Sequence, residues 1–164
     1  TDQSPGRPEA MFFVKSLRNG MILAGGHGGL WIRQGGGEWQ FSAIKRGTIM
    51  LDAGEDSSGV AWLMTRWRDN ARILRCQDLL RGCDSWTDDE GDFNRMVAGD
   101  DELWLAGGES RLVRMPKARS VLQDEHMPGY KGEIRDVALD PAGTVWVGGD
   151  QGAIFRGIKG RSPN

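Results

Sequence analysis

The sequence predicts an all-β fold built from four repeats of about 42 residues, and three observations lead to that prediction. Trp62, Trp104 and Trp146 stand 42 residues apart, each in a short apolar stretch that follows turn-forming residues. Glycine is abundant, at 25 of 164 residues, and no segment shows a sustained apolar pattern at helical spacing. Small antiparallel sheets repeated in tandem at this period are typical of β-propeller blades. A two-layer β-sandwich would not explain a repeat in the sequence itself.

Further columns of the repeat agree with the tryptophan spacing. An upstream copy aligns Ile22 with the tryptophans, and the next column is apolar throughout: Leu23, Leu63, Leu105 and Val147. The turns before two of the tryptophans read Asp-Ser-Ser-Gly and Asp-Pro-Ala-Gly, in which Asp bonds the backbone ahead and Gly accepts a positive φ. An apolar pair followed by a cation ends the third strand of three copies, at Arg75, Arg114 and Arg156.

Each repeat therefore predicts three short strands and a weaker fourth. The innermost strands are expected at Met11–Lys15, Thr48–Asp52, Phe93–Ala98 and Ile134–Leu139, and fourth strands at Trp39–Phe41, Ser85–Thr87 and Val121–Leu122. An insertion at Trp67 lengthens the second hairpin. We expect blades near 11–43, 47–87, 93–123 and 133–158, after an N-terminal extension (1–10) and before a C-terminal tail (159–164).

The segment Asp140–Arg156 resembles the blade motif of two-component-regulator propellers, Ycf48-like proteins and BNR/sialidase-type repeats. Gly35–Trp39 resembles the Gly-Gly-x-Thr-Trp that ends many BNR-type repeats. The resemblance spans residues 11–158 and implies a β-propeller. No repeat ends its third strand with the Trp-Asp of WD40 blades. Since these families share a scaffold and not a function, the resemblance implies an architecture.

The fourth repeat raises a question of closure, because only GIKGRSPN follows Arg156. Four blades can close as a small ring, or the chain can be half of a larger ring completed by a second copy or by a missing segment. We expect the 153–158 segment to be paired, since bare strand edges attract partners. Closure within one chain, with residues 1–10 folding back, is the favoured alternative.

Composition and cysteine content restrict the function. The net charge of −2 argues against binding nucleic acid by bulk electrostatics, and no apolar run approaches the length of a membrane helix. Cys76 and Cys83 predict a local disulfide, with two reduced thiols as the alternative, and a disulfide implies a periplasmic or secreted protein. With two histidines, remote from each other in sequence, a zinc site is not expected.

No complete catalytic constellation can be read from the chain, so we expect a non-enzyme without a cofactor. Nucleophile elbows, phosphate loops and His-Glu-x-x-His are absent from the sequence. The sialidase resemblance would imply a tyrosine nucleophile and an arginine clamp, but Tyr130 is the one tyrosine and the arginines occupy a repeat column. The acidic run from Asp88 to Asp92 lacks EF-hand spacing and is interpreted as solvated charge rather than a calcium site.

The hypothesis that remains is a module that binds another protein. In propellers of this strand order, the turns between second and third strands share one face with the connections between blades. That face would gather aromatic and charged residues typical of interfaces: His27, Lys45, Arg46, Trp67, Arg68, Asp88, Asp89, Glu90, His126, Tyr130, Lys131 and Gln151. One alternative is a carbohydrate or sialidase-like site between inner strands, using Asp52, Arg95 and Asp136. Another is a structural segment of a larger receptor.

Overall fold

A computed structural model describes residues 10–42, 44, 48–67, 70–89, 91–118, 121–125, 127 and 129–157, without the side chains of 70 and 87–89. The chain is an all-β propeller whose strands form four antiparallel sheets, called here blades one to four. It divides into two compact units, Thr1–Glu90 and Gly91–Asn164. Each blade is a meander, since neighbours in the sheet are neighbours in the chain, and this strand order confirms the predicted fold class.

The first unit contains blades one and two. Blade one consists of β1 (Met11–Ser16), β2 (Ile22–Gly26), β3 (Gly29–Arg33) and β4 (Trp39–Phe41). Blade two consists of β5 (Ile49–Glu55), β6 (Ala61–Trp67), β7 (Asn70–Asp78) and β8 (Gly82–Asp89). The insertion at Trp67 does lengthen the second hairpin, because β6 and β7 remain paired as far as Trp67 and Asn70.

The second unit contains blades three and four. Blade three consists of β9 (Phe93–Ala98), β10 (Glu102–Gly107), β11 (Leu112–Pro116) and β12 (Gln123–Glu125). Blade four consists of β13 (Ile134–Leu139), β14 (Val145–Gly149) and β15 (Ile154–Arg156), with a 3₁₀ turn at Asp150–Gly152. Within the described residues, β15 pairs with β14 alone. The expected fold-back of residues 1–10 falls almost wholly outside those residues, as do Ile158 and the C-terminal tail.

The last strand of blade three begins later than the sequence predicts. Val121 and Leu122 precede β12, and Val121 is exposed. The strand starts at Gln123, directly opposite Arg114. The Arg114 guanidinium donates to Gln123 Oε1 at 2.9 Å and lies 2.9 Å from Glu125 Oε1. These polar contacts set the register, so an expectation based on apolar residues alone placed the strand two residues early.

The turn before each second strand aligns the repeats and corrects one column. The amides of Leu17, Asp56 and Asp140 each donate to the carbonyl four residues ahead, at Met21, Val60 and Thr144. Two residues after those carbonyls stand Leu23, Trp62 and Trp146. The tryptophan column therefore contains Leu23 in blade one, and the expected alignment with Ile22 was wrong by one residue. Because side chains alternate between sheet faces, this shift moves Ile22 to the opposite face.

Each unit has its own apolar core. In the first unit, Leu23 and Leu30 of blade one pack in a cluster with Met50, Ala53 and Leu63 of blade two. In the second unit, Trp104 and Leu112 of blade three pack with Val137 and Val147 of blade four. The tryptophan column thus points to the following blade in both units, and the column after it points to the preceding blade.

Cys76 and Cys83 form the expected disulfide, which joins β7 to β8 with a Cα–Cα distance of 4.3 Å. Cys76 is buried and belongs to the core of the first unit. In the part of the chain that the structure describes, no helix is long and apolar enough to span a membrane.

Candidate binding surface

One hydrogen bond recurs at the corresponding end of three blades and defines a candidate surface in each unit. The backbone amides of His27, Gly108 and Asp150 donate to the carbonyls of Ala10, Asp92 and Glu133 at 2.9 to 3.1 Å. Each donor lies in a turn between second and third strands, and each acceptor stands just before an innermost strand. Turns and blade connections therefore meet at one end within each unit, as the meander topology predicts.

The innermost strand of every blade carries a β-bulge at the corresponding end. The extra residues are Phe12, Leu51, Asn94 and Arg135. A bulge opposes two residues to one and redirects a side chain, and bulges are frequent beside functional sites. Leu51 is buried, whereas Phe12 is exposed and Arg135 reaches the surface. The bulge position of the innermost strand thus carries a different side chain in each blade, buried in one blade and exposed in others.

Blade one exposes an aromatic pair at this end. Phe12 meets His27 edge to face, with ring centroids 5.1 Å apart, and both residues are exposed. His27 is held by the tight turn that follows β2, where Gly28 has a φ of +92° that an L side chain rarely adopts. The neighbouring Met11 is also exposed. An apolar contact surface therefore surrounds the predicted site residue His27, and the sequence prediction had missed Phe12.

Tyr130 is half-buried and bonded to its neighbours, so it supports the turns of blade four instead of lying exposed on them. Its hydroxyl donates to the Glu133 carbonyl at 2.8 Å and accepts the Asp150 amide at 2.6 Å. Its ring meets Phe155 edge to face at 5.0 Å. A Cβ added at Gly149 would collide with the Tyr130 hydroxyl, so that glycine is required for the close approach. Tyr130 therefore fixes the connection before β13 to the turn after β14.

An ion network lies on the same end of blade four. The Arg135 guanidinium lies 2.8 Å from Glu133 Oε2 and donates to Asp150 Oδ1 at 2.7 Å. The hydrogen bond from Arg135, followed by one from the Glu133 amide, lowers the pKa of the Asp150 carboxyl. The same bond to Asp150 is the main cause that raises the pKa of Arg135. At neutral pH this end of blade four therefore carries fixed charges of both signs.

Backbone conformation singles out the turns of this surface. Among the described residues, the non-glycine positions with positive φ are Glu109 (55°), Ser110 (61°) and Gln151 (60°). All three lie between second and third strands. Left-handed backbone costs a non-glycine residue roughly 1–2 kcal/mol, and such residues are concentrated at functional sites.

The structure describes some of the site residues predicted from the sequence, in each unit separately. His27, Lys131 and Gln151 are exposed, and Trp67 is half-buried at the end of β6. Asp88 and Asp89 belong to β8, where their backbones pair with Arg72 and Ala71. The remaining predicted residues lie outside the described part of the chain: Lys45, Arg46, Arg68, Glu90 and His126. Phe12 and Arg135 were missed because a bulge has no signature in the repeat pattern, and Glu133, which precedes β13, was missed as well.

The inner strands also carry charge. In the first unit, Lys15 Nζ lies 3.4 Å from Asp52 Oδ1, and the Asp52 side chain is 3% exposed. In the second unit, Arg95 on β9 donates to the Asn94 carbonyl at 2.7 Å. Asp136 on β13 accepts the amide of Val137 at 2.9 Å. Asp52, Arg95 and Asp136 are the residues of the alternative small-molecule hypothesis.

The arginines of the repeat column are each engaged within their own blade. Arg75 lies over the Trp86 ring at 5.7 Å, and Arg156 over the Trp146 ring at 5.5 Å. Arg114 is paired with Glu102 and Glu125. Across the described residues, no three histidine, cysteine or acidic side chains gather as a metal site would require.

No family model matches the sequence, and no curated protein does. Solved structures do match. Virginiamycin B lyase from Staphylococcus aureus superposes with a TM-score of 0.74 and 13% identity, over 94% of this chain and 54% of the lyase. The structure of YCF48 bound to D1 peptide superposes with a TM-score of 0.64 and 16% identity, over 99% of this chain and 55% of YCF48. The chain spans little more than half the length of these structures.

A further match is the extracellular domain of a protein described as a hybrid two-component system, from B. thetaiotaomicron. It superposes with a TM-score of 0.69 and 16% identity, over 96% of this chain and 21% of the matched chain. At these identities the likeness concerns the fold. The resemblance to two-component-regulator and Ycf48-like propellers is thereby confirmed as a likeness of architecture, in proteins that include both a lyase and a peptide-bound propeller.

Proposed function

We propose that the protein is a non-catalytic module that binds another protein, or an extended segment of one, through the turns between its second and third strands. The observation that favours this function most is the exposed Phe12–His27 pair on a bulge beside a tight turn. Aromatic side chains on rigid supports supply binding energy at low entropic cost. That YCF48 was solved with a peptide agrees with such a use of the fold.

The charged end of blade four would set orientation rather than affinity. Arg135, Glu133 and Asp150 are already paired, so a partner would meet a fixed pattern of charge. Lys131 and Gln151 are exposed beside them. Complementary charges at an interface chiefly guide approach and select partners. The turns of blade one fit a partner segment that buries an apolar residue on Phe12, and the turns of blade four fit a segment of mixed charge.

A peptide-display selection on the immobilised protein, followed by affinity measurement on purified peptides, tests the proposal. Phe12→Ala combined with His27→Ala should lower the affinity for the selected peptides by more than about tenfold, the loss expected for an interface anchor. The matched control is Val121→Ala, which removes an exposed apolar side chain from the hairpin between third and fourth strands. Unchanged affinity in the aromatic double variant and in a Lys131→Ala, Gln151→Ala variant would contradict the proposal.

A second candidate function rests on the buried Asp52 carboxylate and its Lys15 partner. A carboxylate held beside a cation on inner strands could bind a polar small molecule or sugar. A glycan array and a panel of chromogenic glycosides, run on the wild type and on Asp52→Asn, test it. Turnover or micromolar binding that Asp52→Asn abolishes would replace the protein-binding proposal.

We place the protein in an oxidising compartment, either the periplasm or the exterior. The support for this is the Cys76–Cys83 disulfide, since such bonds persist where thiols are not kept reduced. Thiol labelling of the protein in intact cells and in reduced lysates tests the assignment. Labelling without prior reduction would contradict it.

A further inference from the structure

Blade four leaves bare two side-chain positions that the other blades bury. At the tryptophan column, Leu23, Trp62 and Trp104 are at most 1% exposed, whereas Trp146 is 38% exposed. On the third strand, Leu30, Ile73 and Leu112 are at most 2% exposed, whereas the equivalent Ile154 is 74% exposed. Strand pairing establishes that the four third-strand residues are equivalent. Their partners are Gly25, Met64, Ala106 and Gly148, each two residues after the tryptophan-column residue of its blade.

Blade one shows the same departure on its opposite face. Val14 stands opposite Ala24, as Ala53, Met96 and Val137 stand opposite the equivalent residues of the other second strands. Those three residues are 1–5% exposed, but Val14 is 67% exposed. Phe41 and Trp39, whose partners in β3 are Trp31 and Arg33, are also exposed. In the described part of the chain, Val14 on this face of blade one is therefore left bare, while Ala24 beside it is buried.

The two bare faces are of opposite kinds. Inside the first unit the Leu23 and Leu30 face of blade one packs on the Ala53 and Leu63 face of blade two. Inside the second unit the Trp104 and Leu112 face of blade three packs in the same way on blade four. The bare face of blade four, with Trp146 and Ile154, corresponds to the Leu23 and Leu30 face of blade one. The bare face of blade one, with Val14, corresponds to the Ala53 and Leu63 face of blade two. The packing used inside each unit would therefore join them.

We propose that a second copy of this chain covers both faces, with blade four of each copy packed on blade one of the other. Two identical contacts related by a two-fold axis would leave neither face bare, as closed symmetric assemblies require. This contact uses Ile154, Trp146 and Val14, and is separate from the Phe12–His27 surface.

Sedimentation velocity across a hundredfold range of concentration tests the assembly. The wild type should sediment as a dimer. Ile154→Glu and Val14→Glu should each raise the dimer dissociation constant by more than about tenfold, because each buries a charge in an apolar contact. Both side chains are exposed in the single chain, so the monomers should keep their circular dichroism and cooperative melting. Val121→Glu, at another exposed valine, is the control and should remain dimeric.

Cross-linking identifies which faces meet. Val14→Cys protein mixed with Ile154→Cys protein should give a covalent dimer with a short bis-maleimide, whereas Val121→Cys mixed with Ile154→Cys should not. The natural cysteines are bonded to each other and do not compete. A monomer at every concentration would overturn the proposal. So would a dimer insensitive to both charge variants, or a Val14→Cys, Ile154→Cys double variant that cross-links only within one chain.

Discussion

The indole Nε1 of Trp62 donates a 2.9 Å hydrogen bond to Oδ2 of Asp56, the residue that begins the preceding turn. The other carboxylate oxygen accepts the amides of Ser58 and Val60 at 3.0 and 3.1 Å. One carboxylate thus joins turn and core. Asp140 and Trp146 repeat the contact at 3.2 Å, while in blade three Glu102 supplies the acceptor for Trp104 at 3.0 Å.

Asp56→Ala should lower the free energy of unfolding by about 2–4 kcal/mol, since it leaves a buried indole N–H and two turn amides without their acceptor. Asp140→Ala provides the matched comparison, because its turn is the same but Trp146 is exposed. Asp140→Ala should lower the free energy of unfolding clearly less than Asp56→Ala does. Urea denaturation of both variants measures the difference. Equal losses would contradict the role assigned to burial of the indole.

Stability should fall with pH in the acid range partly through Asp140. Hydrogen bonds from the Thr144 backbone, and then from the Trp146 indole, lower its pKa below the ordinary 3.8. The unfolded chain therefore binds the proton at a higher pH than the folded chain does. The contribution is complete above the unfolded pKa and is lost as pH falls through the folded pKa. Urea titrations from pH 6 to pH 2 should show wild type and Asp140→Asn converging below pH 3.8; a constant gap would contradict this.

Tyr130→Phe should cost about 1–2 kcal/mol of stability, because it removes the hydrogen bonds with Glu133 and Asp150 but keeps the ring against Phe155. Tyr130→Ala should cost more, since the ring contact is lost as well. Thermal and chemical melts provide the measurement. If Tyr130→Phe weakened a selected peptide without altering stability, the hydroxyl would contact the partner directly and its supporting role would be wrong.

Gln151→Gly should stabilise the fold by up to about 1 kcal/mol, because glycine adopts the left-handed backbone of this turn without strain, although it loses more chain entropy on folding. Gly152→Ala, at the neighbouring residue with a φ of +75°, should do the opposite. Comparison of their unfolding midpoints checks both signs. Destabilisation by Gln151→Gly would indicate that the glutamine side chain holds the turn.

Reduction of the Cys76–Cys83 bridge should lower the free energy of unfolding by at most about 2.5 kcal/mol, because the loop it closes is short. The reduced protein should still fold, since both cysteines lie in paired strands. Melting with and without a phosphine reductant measures the loss, and a Cys76→Ala, Cys83→Ala variant serves as the control for reductant effects. Complete unfolding on reduction would contradict this estimate.

The sequence by itself determined the repeat, the positions of the innermost strands and the short-range chemistry. The Asp56 and Asp140 turns, the glycines after β2 and the Cys76–Cys83 bridge all depend on residues a few positions apart, so their spacing is visible along the chain. The innermost strands Phe93–Ala98 and Ile134–Leu139 appear where the apolar pattern places them. These features follow from backbone geometry and side-chain alternation, which are local.

Only the tertiary structure decided which side chains are bare and which are held. Tyr130 looks like an exposed aromatic in a loop, but its hydroxyl is bonded to residues brought to it by the fold. Trp104 and Trp146 occupy one sequence column, yet one is buried and the other is exposed. Burial depends on the neighbouring blade, and the bulges at Phe12 and Arg135 depend on pairing across strands. Both are relations between distant parts of the chain, which spacing along the sequence does not specify.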